Sequence, residues 1–219
     1  MIDVLLLHPE RGNPGPDDTS IGGPLLWPDA EPWPMCGEPD EQDPSGETAV
    51  AMVPVAQVYR RDVPGSWWPG GADLLQVLWC PNVHWDAAPP QEEGAPVVLL
   101  RWRTAGELTA RVATEHQLRV PVRCEEWLVP QPCTVRVEAA EDRADRPISR
   151  YDVWKVGGYP RWTVCDPYPI TCIDCGAGTE LLFTVSSGDE TGVDIGRAGE
   201  LRFFRCSEEA GHGVAFDVH

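Results

Sequence analysis

The chemistry this chain can do is concentrated in its cysteines. Cys172-Ile173-Asp174-Cys175-Gly176 is a zinc-knuckle sequence. Two residues between the thiols let both sulfurs face one ion, the amide N–H groups of the turn point at them, and the following glycine relieves the tight turn. A Cys-x-x-Cys pair also serves redox chemistry, but then it opens a helix that lowers a thiol's pKa. Here it lies between prolines and a predicted strand. A tetrahedral zinc site takes four ligands. Cys206, at the end of a predicted strand, is the natural third. His212, after a five-residue loop, is the first choice for the fourth, and Cys165 is the second choice. The expected set is Cys172, Cys175, Cys206 and His212, with zinc in a structural role.

A less complete version stands earlier in the chain. Cys36, Cys80 and His84 match three of these four positions, and Pro39 stands where Cys175 stands. Three ligands with an open position describe a catalytic zinc. They also describe a duplicate that has lost a ligand, and no general base is obvious alongside. Glu38 and Asp86 are the nearby carboxylates to consider. Cys124 and Cys133 have no counterpart and read as core or surface thiols. No phosphate-cradling glycine loop, G-x-S-x-G elbow or H-E-x-x-H pair is present, and the five histidines are too scattered for a triad.

The two sets sit inside a longer internal repeat. Gly22-Gly23-Pro24, Cys36, the block Gly70-Gly71-Ala72-Asp73-Leu74-Leu75-Gln76-Val77-Leu78-Trp79-Cys80 and His84 recur in order as Gly157-Gly158-Tyr159-Pro160, Cys172, Gly196-Arg197-Ala198-Gly199-Glu200-Leu201-Arg202-Phe203-Phe204-Arg205-Cys206 and His212. The preserved order points to a duplication. The first copy spans about residues 1–140 and the second about 148–219, with a seam over residues 142–147. That seam is short and has no Gly/Ser run, so one body of two similar halves is expected over residues 1–219. The paired glycines are turn residues.

The elements that must position these thiols are strands. Apolar or alternating runs cover residues 2–7, 53–59, 74–79, 97–103, 120–122 and 134–138, then 153–156, 161–164, 181–186, 200–205 and 214–218. Over residues 134–138 the alternation puts Val135, Val137 and Ala139 on one face and Thr134, Arg136 and Glu138 on the other. Only residues 105–117 and 139–144 invite a helix, and neither carries an apolar stripe. The fold class is therefore mainly β, a β-rich α+β protein. The acidic stretch over residues 38–47 reads as an exposed loop inserted in the first copy.

Composition agrees. Hydrophobic residues at 42% and charged residues at 24% are globular values, and proline (23) with glycine (21) favours turns and short strands. Ten tryptophans need a core or a partner to cover them. Trp67-Trp68-Pro69 and the Trp27–Trp33 region could line a sugar or peptide groove, but indoles in such a domain belong first to the core. The net charge of −18 repels phosphate backbones and anionic headgroups, which argues against nucleic acid and membranes, and suits solubility or a basic protein partner. Val4-Leu5-Leu6-Leu7 is too short for a signal-peptide core. A cytoplasmic chain is expected, its eight cysteines thiols or metal ligands rather than disulfides.

At these residues the chain resembles the YwqG-like family, a bacterial domain of unknown function with a duplicated, sheet-rich architecture. The likeness lies in Ser20-Ile21-Gly22-Gly23-Pro24, Val55-Ala56-Gln57-Val58 and Asp73-Leu74-Leu75-Gln76-Val77. Lys155-Val156-Gly157-Gly158-Tyr159-Pro160-Arg161-Trp162, Cys172-x-x-Cys175 and Phe203-Phe204-Arg205-Cys206 are similar both to its second half and to programmed cell death protein 2, which is associated with chaperoning a basic ribosomal protein. The resemblance runs from about residue 20 to 216, and departs from the pattern at Pro39 and Cys165. It implies the sheet-rich fold and the zinc site, and adds little on mechanism. The expected function is a zinc-stabilised binding module for a basic protein, of chaperone or immunity type. The alternative is a metal-dependent hydrolase using an open site at Cys36, Cys80 and His84.

Overall fold

Runs of branched and aromatic residues too short for helices, punctuated by glycine and proline, leave this chain little choice but extended structure. The structure, a computed structural model, describes residues 2–38, 43, 45, 49–85, 94–108, 124–163, 165–196 and 198–219. The strands are β1 (Ile2–Arg11), β2 (Ser20–Ile21), β3 (Met35–Cys36), β4 (Val50–Ala51), β5 (Val53–Tyr59), β6 (Leu74–His84), β7 (Ala95–Arg103), β8 (Cys133–Asp142), β9 (Trp154–Gly157), β10 (Thr179–Ser186), β11 (Glu200–Cys206) and β12 (Ala215–Val218). Two 3-10 turns, Ala105–Glu107 and Glu126–Leu128, are the helical segments among the described residues. The protein is mainly β, as expected.

Ten strands form one sheet in the order β12-β11-β10-β9-β1-β8-β2-β5-β6-β7, and β3-β4 form a small second sheet. At the centre β1 and β8 run antiparallel from Ile2↔Asp142 to Arg11↔Cys133. On one side a four-residue strand ending at a double glycine (β9) leads to the hairpin β10-β11; on the other the two-residue β2, also followed by a double glycine, leads to β5-β6. Both hairpins carry a bulge at matching places. In β5-β6 it separates Pro54↔Leu78 from Ala56↔Val77, and in β10-β11 it separates Leu181↔Phe204 from Phe183↔Phe203. The double glycines share one left-handed conformation, φ 74° and 83° at Gly22 and Gly23, 74° and 85° at Gly157 and Gly158. A Cβ at Gly22 would stand 2.5 Å from the Gln131 carbonyl oxygen, and one at Gly158 would stand 2.4 Å from Asp142 Oδ2. Only glycine fits either turn.

One apolar core contains Leu7, Val55, Val77 and Trp79 together with Trp154, Phe183, Val185 and Phe203, so the two halves bury their faces against a common interior. β5 and β6 are buried almost throughout, because a second cluster of Leu25, Trp27, Trp33, Met52 and Leu78 covers their other face. Trp27, Trp79 and Trp154 are buried, and Trp68 donates its indole N–H to the Val63 carbonyl at 2.9 Å. Trp67 packs on Trp68 and Trp102. These indoles are core; Trp85 and Trp127 are the exposed ones.

Several expectations need correction. Residues 161–163 form no strand, because the glycine pair turns the chain away at the end of β9 and the Arg161 carbonyl accepts from Arg202 Nη1 at 2.6 Å instead of a neighbouring strand. Residues 139–142 are strand rather than helix, held by pairing of Ala139 to Asp142 with Leu5 to Ile2. Val135 and Val137 are half-buried as expected, but Ala139 is exposed. β6 runs on to His84, so Cys80 and His84 both belong to it. Residues 120–122, Val164, most of residues 38–47 and the part of 105–117 beyond Leu108 lie outside the described residues. No helix among the described residues is long and apolar enough to cross a membrane.

Candidate metal centres

The knuckle forms as its sequence requires. Cys172 N–H donates to the Ala177 carbonyl and Gly176 N–H to the Cys172 carbonyl, both at 2.8 Å, so the segment doubles back on itself. Gly176 makes the turn at φ 72°. Cys206 closes β11 opposite Thr179 of β10, which carries its thiol to the knuckle. His212 arrives on the following loop, which is tied to the knuckle by Gly213 N–H donating to Asp174 Oδ2 at 2.7 Å.

The donor atoms of Cys172, Cys175, Cys206 and His212 all lie within 4.8 Å of one another. Cys175 Sγ is 3.6 Å from Cys206 Sγ, and Cys172 Sγ is 3.5 Å from His212 Nδ1. Two zinc–sulfur bonds of about 2.3 Å opened to a tetrahedral angle put the sulfurs roughly 3.8 Å apart, and a sulfur and an imidazole nitrogen roughly 3.6 Å apart. The four side chains therefore fit an ion of that size and geometry. Cys172 and Cys206 are buried, His212 is half-buried and Cys175 is exposed. The Cys206 thiol is pushed down to about 6, chiefly by the Glu208 N–H that donates to its sulfur at 3.4 Å, with His212 adding to the effect against burial. The thiolate, which is the metal-binding form, is thus favoured near neutrality. His212 is shifted upward by its hydrogen bond to Cys206. Cys165, the other choice for a fourth ligand, is exposed and is not among the four residues brought together.

The first-half residues also converge. β3 pairs with β4, Cys36 opposite Val50, and presents Cys36 to β6. In the β6-β7 pairing the register shifts between Trp79 and Val83, the stretch of β6 that holds Cys80. Cys36, Cys80 and His84 have their donor atoms within 4.8 Å of one another, with Cys36 Sγ 3.8 Å from His84 Nε2. Their exposures are 4%, 0% and 0%, and the two cysteines share an apolar cluster with Trp33, Val50, Met52 and Leu78. The Cys36 thiol is pushed down to about 5 by hydrogen bonding from Cys80 first, then from His84, with burial opposing. Glu38 is exposed and outside the group; Pro39 and Asp86 lie outside the described residues.

Cys133 is buried and its thiol donates to the Glu190 carbonyl at 3.4 Å; burial pushes its pKa up to about 11. Burial, with Glu126 and Glu125 nearby, raises the half-buried Cys124 as well. Neither is a ligand candidate. No protein-family model matches the chain, and no curated protein matches it.

The spacing of the cysteines missed a buried polar junction between Asp142 and Lys155. Its one signal in the sequence is that Lys155 is the only lysine of the chain, placed on a strand.

Proposed function

We propose that this chain is a non-enzymatic, zinc-stabilised binding module that holds a basic protein on its acidic surface. The four-donor group at Cys172, Cys175, Cys206 and His212 carries the reading. Four side-chain donors complete a tetrahedron, so an ion there keeps no position for water and serves the fold. Three thiolates and an imidazole suit zinc among the first-row metals. The Cys36, Cys80 and His84 group fits the same structural use, since two thiolates neutralise a divalent ion and a site of zero net charge is the least costly to bury. A hydrolytic use of that group would require substrate to reach donor atoms exposed by 4% or less, which favours binding over catalysis.

The client is assigned by charge. A net charge of −18 disfavours nucleic acids and membranes and attracts a cationic protein, of ribosomal-protein type or a toxin to be neutralised. All eight cysteines are free thiols, in keeping with a reducing, cytoplasmic setting. Membership of the YwqG-like family is part of the same proposal, on the double-glycine turns and the Cys-x-x-Cys pair.

Elemental analysis of protein purified without added metal tests the zinc, and purification from the native cells with identification of the bound partner tests the client. A basic partner whose association slows with salt, and slows further when Asp40, Glu41 and Asp43 are replaced by lysine, is the expected result. An acidic partner, or an association rate indifferent to salt and to those three substitutions, would sink the client assignment.

A further inference from the structure

Among the described residues, most arginines are engaged by carboxylates. Arg103 meets Glu31, Arg136 lies between Glu10 and Glu138, Arg205 meets Glu180 and Arg202 meets Asp217. Three others break the pattern together. Arg146, Arg150 and Arg161 are exposed, none of them pairs with a carboxylate among the described residues, and all three line one open cleft of about 740 Å3. Asp145 is the acidic residue of the lining, and Arg143 already holds both its oxygens at 2.9 Å. The cleft is therefore lined by three arginines that have no carboxylate ion pair among the described residues, on a protein whose overall charge is −18.

Its walls are two segments on either side of strand β9, residues 144–150 after β8 and residues 160–162 after β9. A buried junction fixes them to each other. Asp142 Oδ1 accepts the Ile148 N–H at 2.7 Å on one wall, and Oδ2 accepts the Tyr159 N–H at 2.8 Å at the foot of the other. Lys155 repeats the clamp from the opposite sign, its ammonium donating to the Ile148 and Tyr159 carbonyls, each at 2.7 Å. Gly158 is needed there because a side chain would collide with Asp142 Oδ2. Walls held at their base by buried ionic hydrogen bonds lose little freedom when a ligand enters, which is what preorganised recognition requires. Trp162 also lines the cleft, one face covered by the Arg202 guanidinium at 4.4 Å.

We propose that this cleft binds a small, multiply charged anion of phosphate or carboxylate chemistry. Guanidinium forks match the oxygens of both groups, and a cleft of this size lies within the about 300–1,000 Å3 usual for small-molecule sites. The negative charge of the remaining surface excludes a long polyanion while leaving a compact one able to enter. The site is separate from the Cys/His groups and does not depend on the client assignment.

Calorimetric titration of the full chain with inorganic pyrophosphate and, separately, with citrate at about 0.15 M salt tests the proposal, since screening at that ionic strength removes loose surface attraction beyond about 8 Å. Saturable binding of at least one probe is expected, weakened about tenfold or more by either Arg150→Gln or Arg161→Gln, the loss of one charge-assisted contact. Arg136→Gln, an exposed arginine of β8, should leave it unchanged. Pyrophosphate alone would assign phosphate chemistry, and citrate alone carboxylate chemistry. Both variants alter exposed, unpaired side chains and should melt like the parent. No saturable binding of either probe, equal weakening by Arg136→Gln, or heat that persists in Arg150→Gln and Arg161→Gln (as chelation of a metal held by the cysteines would) overturns the proposal.

Discussion

Gln76 and Arg202 hold corresponding places in the two hairpins and perform the same service. Each is buried on the second strand of its hairpin, and each donates to the backbone carbonyl four residues beyond the first glycine of a double-glycine turn. Gln76 Nε2 reaches the Leu26 carbonyl and Arg202 Nη1 the Arg161 carbonyl, both at 2.6 Å. The following residues, Trp27 and Trp162, each lie under an arginine, Arg103 and Arg202 respectively. A strand-borne polar group inside the sheet thus pins the loop that leads toward each Cys/His group. The chemistry of the two pins differs: Gln76 is satisfied by neutral partners and Arg103, whereas Arg202 is neutralised by the buried Asp217, whose Oδ2 accepts from its Nε at 2.7 Å.

That difference sets the cost of removing them. Gln76→Leu strands the Leu26 carbonyl and should destabilise by about 1–3 kcal/mol. Arg202→Met leaves Asp217 charged and buried without its partner, and should cost about 3–5 kcal/mol. Urea denaturation of the two variants should rank them in that order; equal midpoints would show that the ion pair matters no more than the neutral bond.

Metal binding at Cys172, Cys175, Cys206 and His212 should be part of the folding free energy. Cys172→Ser and Cys206→Ser are expected to lose stoichiometric zinc and to unfold with at least about 4 kcal/mol less stability, the contribution of a ligand present at roughly a thousand times its dissociation constant. A chelator should lower the melting temperature of the parent and leave both variants nearly unmoved. Variants that melt like the parent would reduce the group to four adjacent side chains.

Thiol accessibility differs sharply between the two groups. In chelator-treated native protein a maleimide should label the exposed Cys165 and Cys175 first, and should label Cys36, Cys80 and Cys133 only on unfolding. Peptide mapping of the adducts reads this directly. Prompt labelling of Cys80, which is 0% exposed, would mean that the first half opens in the native state.

Glu31 supplies a pH dependence of known sign. The Arg103 guanidinium that hydrogen-bonds it holds its carboxyl below the usual 4.5, with burial opposing. A depressed folded-state pKa contributes stability that is complete above the unfolded value and is lost as pH falls through the folded value. Glu31→Gln should therefore be less stable than the parent at neutral pH, and the gap should close below pH 4.5 as the parent's carboxyl is protonated. A gap that stays constant into acid would show that the loss is one of packing rather than of charge.

The expected strand class and the knuckle were legible because they are local. Five consecutive residues suffice for Cys172 and Cys175 to face one ion, and an apolar run such as Leu74 to Trp79 needs no distant partner to declare itself a strand. Residues 161–163 misled for the same reason: Arg161, Trp162 and Thr163 look extended in isolation, but no strand among the described residues pairs with them and a buried guanidinium takes the Arg161 carbonyl. The Ala139 to Asp142 segment carries helix-forming residues, and pairing with Ile2 to Leu5, some 137 positions away in sequence, overrides that propensity.

What the sequence by itself determined is therefore the set of side chains able to bind metal, the mainly β class and the ordered pairing of glycines and cysteines in two halves, all of which depend on residue type and short spacing. Only the tertiary structure decided that His212 rather than Cys165 joins the three thiols, that Cys36, Cys80 and His84 are shut inside an apolar cluster, and that Arg146, Arg150 and Arg161 face one cleft braced by Asp142 and Lys155. Each of these is a meeting of segments brought together by sheet order and register. Such meetings are paid for by the burial of a common core, and no local pattern of residues encodes which segments will share it.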